Sequence, residues 1–167
     1  MTGIVGPLDD QFLLALGRVT ANFAVLEDSV SFFLWSLIGR DQRLGQIITA
    51  ELSFKATRAL LSAIFQHRIV DQVLRDELES LLNRISENEE RRNVLVHSSW
   101  AAGDTPETRT RIKMTAKKGK GIRHQFEQLV PADIEVVAAR ASELALDVHK
   151  FTDKLPDELI GRVRITM

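Results

Sequence analysis

Eight apolar residues near the start of the chain alternate steps of three and four: Phe12, Leu16, Val19, Phe23, Leu26, Val30, Phe33 and Leu37. This spacing keeps one face of an α-helix apolar for about seven turns. A stripe of that length has to be covered by other elements, which favours a helical bundle. Asp9 or Asp10 is expected to cap the helix, and Gly39 is expected to end it.

Two more helical patterns follow the first. The second spans about residues 41–67, although Gly45 weakens its first turn. The connection of residues 68–70 is short, so the third helix, starting near Asp71, should return antiparallel along the second. Its stripe continues as far as Val96, and the helical segment is expected to finish with Trp100.

The pattern changes between Ala101 and Val130. Gly103, Asp104 and Pro106 break the helix, and residues 108–115 are β-branched and alternating, as in a strand. A turn at 117–121 and a return strand over about 122–130 complete a β-hairpin. Pro131 and Asp133 then open a last helix. The sequence therefore predicts one mainly all-α domain over residues 1–167, an up-and-down four-helix bundle with a hairpin insertion at about 106–130.

Composition narrows the class of protein. Hydrophobic residues make up 44% of the chain and charged residues 27%, as in ordinary soluble globular domains. The absence of cysteine excludes disulfides and thiolate metal sites. The longest uncharged interior stretch, residues 29–39, is far shorter than the ~20 residues of a membrane span. We expect a cytoplasmic protein with no membrane span, no signal peptide, no metal site and no cofactor.

Charge is distributed unevenly. The net charge is −1, yet residues 109–123 sum to +7 without a single acid, which leaves −8 for the rest. These seven basic residues are Arg109, Arg111, Lys113, Lys117, Lys118, Lys120 and Arg123. Strand alternation places Arg109, Arg111, Lys113, Arg123 and Gln125 on one face of the hairpin. The segment is either an interaction surface or a solvated turn.

The end of the third helix is the most chemically specific part of the chain. Arg92 comes seven residues after Ile85, so it falls on the apolar stripe, where a charge needs a partner. Glu89, Asn93 and His97 are spaced by four and can hydrogen-bond in series along one side of the helix. His97 lies near the C-terminal end, where the helix dipole favours a positive charge.

The arrangement Arg92, Asn93 and His97 resembles the signature of the HEPN superfamily (higher eukaryotes and prokaryotes nucleotide-binding domains), an Arg followed by a polar residue and, after four to six residues, a His. The resemblance extends to the bundle architecture and covers the helical core. It also includes an acidic residue in the first helix, Glu27, and a lysine in the second, Lys55. The hairpin is a departure from the minimal fold of that family.

This resemblance implies a metal-independent endoribonuclease that acts as a homodimer, with the motifs of both subunits facing one cleft. It also implies a setting such as a toxin or defence effector, with an antitoxin or another protein as a further partner. Cleavage through the ribose 2′-OH needs a proton acceptor, a proton donor and stabilisation of a phosphorane. Two His97 side chains would supply the first two roles, Arg92 would bind the phosphate, and Asn93 would orient either of them. The basic hairpin would hold the RNA backbone.

A structural interpretation competes with this one. Arg92 could form a buried ion pair with Glu27, and the motif would then be a polar network in a catalytically silent HEPN-like module that binds a protein or a nucleic acid. Lys55 could contact phosphate or extend to solvent. Trp100 could stack on a base, although packing under the hairpin is favoured.

Overall fold

The computed structural model describes residues 8–39, 42–117 and 121–160, apart from the side chain of Lys117. Within these ranges the chain is mainly helical and has one small antiparallel sheet, which confirms the predicted class. The helices are α1 (Asp10–Ile38), α2 (Gln42–Thr49), α3 (Phe54–Arg68), α4 (Gln72–Val96) and α5 (Pro131–Asp153). The strands are β1 (Ser99–Ala102), β2 (Arg109–Lys117) and β3 (Gly121–Leu129).

Acidic side chains start three of the helices. Asp9 caps α1, because its Oδ1 accepts a hydrogen bond from the amide of Phe12 at 3.1 Å. Asp71 caps α4 in the same way, with the amide of Val73 at 2.8 Å from its Oδ1. Asp133, in the first turn of α5, accepts from the amide of Val130 at 2.9 Å. These helix starts lie where the sequence predicts them.

The prediction of one continuous helix over 41–67 is wrong, because the segment forms two helices, α2 and α3. Ser53 interrupts it: its backbone is extended and its hydroxyl accepts a hydrogen bond from the amide of Ala56. Gly45 also has a role other than weakening a turn. A Cβ at this position would lie 2.6 Å from the ring of Trp35, so only glycine lets α2 approach α1 this closely.

The prediction that the third helix finishes with Trp100 is also wrong. α4 ends at Val96, and after His97 and Ser98 the chain enters β1. β1 pairs antiparallel with β2, with Trp100 opposite Arg111, so the hairpin becomes a sheet of order β1-β2-β3. β2 and β3 pair over their full length, from Arg109 opposite Leu129 to Lys117 opposite Gly121. The predicted hairpin is therefore present, with a third strand added.

The chain forms two compact units, and α1, α4 and α5 each contribute to both. Unit 1 comprises residues 1–23 and 88–141. Its core joins the helices to the base of the sheet and consists of Phe12, Ala15, Val19, Leu95, Trp100, Leu129, Ile134, Val137 and Ala138. Trp100 packs edge-on against Phe12 with ring centroids 6.1 Å apart, which confirms the packing interpretation of this residue. The expectation of one domain stays a prediction.

Unit 2 comprises residues 24–87 and 142–167. Three aromatic rings meet in its core: Phe33, Phe65 and Phe151 lie with centroids 5.6–6.1 Å apart. Leu61, Leu78, Ile85, Leu144 and Val148 are buried in the same unit. The apolar stripes of α1 and α4 are thus largely covered within the described residues.

α1 is long and apolar enough to cross a membrane by length and composition alone. Of its most apolar 18-residue window, 44% is buried inside the structure, and a core helix of a soluble protein meets the same criteria. The expectation of a cytoplasmic protein without a membrane span stays a prediction.

Candidate active site and nucleic-acid interface

Arg92 lies on α4 in unit 1 with its side chain partly buried. Its guanidinium lies over the ring of Phe23, with Cζ 4.8 Å from the ring centroid, and its Nη1 donates to Oδ1 of Asn93 at 2.8 Å. The cation–π contact explains how a charge is tolerated on an otherwise apolar stripe. The Nε of Arg92 is buried and has no hydrogen-bond acceptor among the described residues. The bond to Asn93 uses one of the five N–H donors of this guanidinium.

His97 directly follows the last residue of α4. Its amide donates to the carbonyl of Asn93 at 3.1 Å, so the helical turn continues to this residue. The side chain of His97 is exposed, whereas Arg92 and Asn93 are partly buried. The structure thus brings together a fixed guanidinium, an amide that holds it and, one turn further, a histidine open to solvent.

Beside this motif lies an ion cluster that residue spacing does not predict. Glu127 of β3 accepts two hydrogen bonds from Arg91, at 2.7 and 3.1 Å, and one from Nε of Arg111 at 2.8 Å. Arg111 also donates to the hydroxyl of Ser98 at 3.2 Å. The hydrogen bond from Arg91, with that from Arg111, lowers the pKa of Glu127 against the opposing effect of burial. We call these four residues, Arg91, Ser98, Arg111 and Glu127, the Glu127 cluster.

The Glu127 cluster changes how the basic segment is interpreted. Arg111 is only 5% exposed, and its charge is matched by a carboxylate of the same chain. Glu127 is the first acidic residue after the segment, and it lies directly opposite Arg111 in the β2–β3 register. The register follows from the hairpin turn, but the inward direction of this face depends on β1, a strand that the sequence pattern does not predict.

Arg109 is also bound within the chain. Its Nη2 donates to Oδ2 of Asp9 at 2.7 Å, and its Cζ lies 5.4 Å from the ring centroid of Phe12. Its Nη1 donates to the carbonyls of Pro106 and Thr108. The guanidinium therefore fastens the base of β2 to the start of α1. RNA binding by Arg109 and Arg111 stays a prediction, and these contacts supply each with a structural role.

The other predicted phosphate-binding residues lie farther along the hairpin. Lys113 is partly buried on β2 and Arg123 is exposed on β3. The backbone of Lys117 ends β2, while its side chain and the whole of Lys118 and Lys120 lie outside the described residues.

The supporting residues fall in both units. Glu89 is partly buried on α4 in unit 1, one turn before Asn93. Glu27 is partly buried on α1 and Lys55 is exposed in the first turn of α3, both in unit 2. The alternative pairing of Arg92 with Glu27 stays a prediction.

Within residues 8–39, 42–117 and 121–160, no group of three or more His, Asp or Glu side chains is placed to hold a metal ion. Comparisons of the chain with protein-family models, with curated proteins and with solved structures gave no match. The resemblance to the HEPN superfamily consequently rests on the motif residues and the helical architecture.

Proposed function

We propose that this protein is a HEPN-type, metal-independent endoribonuclease that acts as a homodimer, with Arg92, Asn93 and His97 as its catalytic residues. One observation carries the proposal: an exposed His97 lies one helical turn beyond a guanidinium that Asn93 and Phe23 hold in place. A guanidinium fixed in this way loses little conformational entropy when it binds a phosphate.

The chemistry divides among few groups. Neutral His97 accepts the proton of the ribose 2′-OH, whose oxygen attacks the adjacent phosphorus. The partner subunit's copy of the same histidine donates a proton to the leaving 5′ oxygen. Arg92 stabilises the extra negative charge of the phosphorane through its remaining donors. The products carry a 2′,3′-cyclic phosphate and a 5′-hydroxyl, and no metal takes part.

An RNA of mixed structure, incubated with the purified protein in excess EDTA, tests the proposal. We expect cleavage with 2′,3′-cyclic phosphate ends, and no cleavage of the same sequence with 2′-O-methyl riboses. His97→Ala should lower the rate by about 10²- to 10⁴-fold, as for the loss of a general acid–base. His67→Ala, which changes an exposed histidine at the end of α3, serves as the matched control and should leave the rate unchanged.

Arg92 needs a variant that keeps the charge, because Arg92→Ala also removes the contact with Phe23. Arg92→Lys retains a cation but not the bidentate fork, so it should fold and still lose most of the activity. If the unmodified protein cleaves RNA and the His97→Ala and Arg92→Lys variants cleave it at the same rate, the assignment of these catalytic residues is refuted. The cleavage rate per subunit should also fall on dilution, because the homodimer dissociates. A protein that light scattering shows to be monomeric and that is still fully active would refute the shared site.

A second candidate function is a catalytically silent module that binds RNA or a protein, such as an antitoxin. The observation that favours it is that Arg92 is already bonded to its own neighbour Asn93 and stacked on Phe23, as a structural arginine would be. Under this alternative, no RNA is cleaved in EDTA.

A further inference from the structure

The hairpin is longer than the sheet that supports it. β1 pairs only with residues 109–112 of β2, whereas β2 and β3 remain paired as far as Lys117 and Gly121. From Lys113 to Gln125 the described chain is therefore a two-stranded ribbon, with Ile112 and Phe126 at its base. Isolated two-stranded ribbons are only marginally stable in water, so a ribbon of this length gains from a bound partner.

One face of the ribbon is apolar and open. The register pairs Ile112 with Phe126, Met114 with His124, and Ala116 with Ile122, all on the face opposite to Trp100 and Arg111. We call it the outer face. Its largest apolar side chains are almost fully accessible, with Met114 66%, Ile122 64% and Phe126 67% exposed. The rings of His124 and Phe126 lie nearly parallel, 15° apart with centroids separated by 6.2 Å.

The charge around this face selects the class of partner. Residues 108–126 contain no acid, and seven of them are Lys or Arg. Arg109 and Arg111 are paired with acids of the same chain, whereas Lys113 and Arg123 belong with Arg111 to the face opposite the outer face. Neighbouring strands are only about 4.8 Å apart, so long basic side chains on the ribbon reach its edges. An aromatic surface on one face, with cations that extend past the edges from the other face, matches a polyanion that carries flat bases.

A second copy of the chain matches the outer face less well. A symmetric contact through this face would bring two strongly basic segments together, and like charges disfavour that arrangement. A duplex matches less well too, since its bases are stacked on each other and cannot lie on Phe126.

We propose that the outer face of the hairpin binds single-stranded RNA, with bases stacked on Phe126 and His124 and with Arg123 and Lys113 reaching the phosphates past the ribbon edges from the opposite face. The choice of RNA over DNA rests on the proposed function, whereas the stacking surface itself requires no cleavage. The hairpin is joined to the end of α4, which carries the catalytic motif, by β1. RNA bound to the outer face would therefore lie on the element that follows the motif in the chain.

Fluorescence anisotropy with a 12-nucleotide 2′-O-methyl RNA of mixed sequence tests the proposal, because the probe cannot be cleaved through a 2′-OH. Phe126→Ala should weaken binding by roughly five- to 150-fold, the range for loss of one base–aromatic stack. Val136→Ala is the matched control, since this valine is 69% exposed on α5 in the same unit, and it should bind as the unmodified protein does. Binding should weaken as salt is raised, and the annealed duplex should bind less tightly than the single strand.

Two results would overturn the proposal. The first is that Phe126→Ala binds the probe within twofold of the unmodified protein. The second is that light scattering shows a homodimer that Phe126→Ala dissociates while RNA binding is retained, which would assign the outer face to a contact between copies. The two proposals fail separately. Binding that depends on Phe126 without cleavage supports the outer face and rejects the ribonuclease, whereas cleavage with binding independent of Phe126 does the reverse.

Discussion

Substituting Glu127 by Gln should destabilise the protein at neutral pH. The carboxylate accepts two hydrogen bonds from Arg91 and one from Arg111, whose side chain is only 6% exposed. Removal of one partner from a buried ion pair costs about 3–5 kcal/mol, because the remaining charge is left uncompensated. The Glu127 side chain is 31% exposed and glutamine still accepts one hydrogen bond, so screening reduces the expected cost to about 2 kcal/mol. In a chain of this size that lowers the Tm by roughly 4–8 °C.

The effect should depend on pH in a defined direction. The pKa of Glu127 in the folded protein lies below its ordinary value of 4.5, because Arg91 and Arg111 favour the carboxylate. The stabilisation is therefore fully present above pH 4.5 and is lost as the pH falls through the folded-state pKa. Below that pKa, the protonated carboxyl and the amide of Gln should contribute equally.

Urea denaturation at pH 7 and at several values below 4.5 measures the difference in free energy of unfolding between the two proteins. Glu90→Gln, at an exposed position on α4, is the control and should shift stability by no more than about 0.5 kcal/mol. A difference for Glu127→Gln that stays constant with pH, or that is no larger than that of Glu90→Gln at pH 7, would refute this account of the cluster.

Two further substitutions probe the elements around the site. Gly103→Ala places a Cβ 2.5 Å from the carbonyl of Thr108 and should lower the free energy of unfolding, measured by thermal denaturation, by about 1–3 kcal/mol. Gly17→Ala is the control, because the space around this residue of α1 is open, and it should be neutral or stabilising. Equal effects of the two substitutions would contradict the close approach at Gly103. Asp9→Ala removes both the cap of α1 and the ion pair with Arg109 of β2, so it should lower the free energy of unfolding, measured in urea, by about 1–2 kcal/mol. The control Asp10→Ala leaves both contacts in place and should lower the free energy of unfolding clearly less.

Periodicity and capping residues predicted the positions of most elements. The alternation of three and four steps located α1, and Asp9, Asp71 and Asp133 marked three helix starts. The break before α3 was missed because the intervening residues include no Gly or Pro, and only the weak capping signal of Ser53 marks it. β1 was missed because its residues continue the apolar pattern of α4. In addition, strand formation depends on pairing with residues that are not adjacent in sequence, here those of β2.

The candidate site was predictable only as far as local spacing determines it. The spacing of Asn93 and His97 placed them one helical turn apart at the end of α4, as the structure shows, because helical geometry is local. The partners of Arg92 and Arg111 come from other elements, so Phe23 and Glu127 could not be derived from spacing. Alternation along β2 predicted which residues share a face but not which face is covered.

The core of unit 1 joins parts of the chain that are far apart in sequence. Asn22 donates to the carbonyl of Ala138, and Arg18 pairs with Glu135, at separations of 116 and 117 residues. On the ribosome, the first three turns of α1 consequently leave the exit tunnel long before α5 exists. At 5–20 residues per second, Phe12 and Val19 wait on the order of ten seconds for Ile134 and Val137. During that interval their apolar surface is available to chaperones, and this unit cannot close before the first half of α5 has been made.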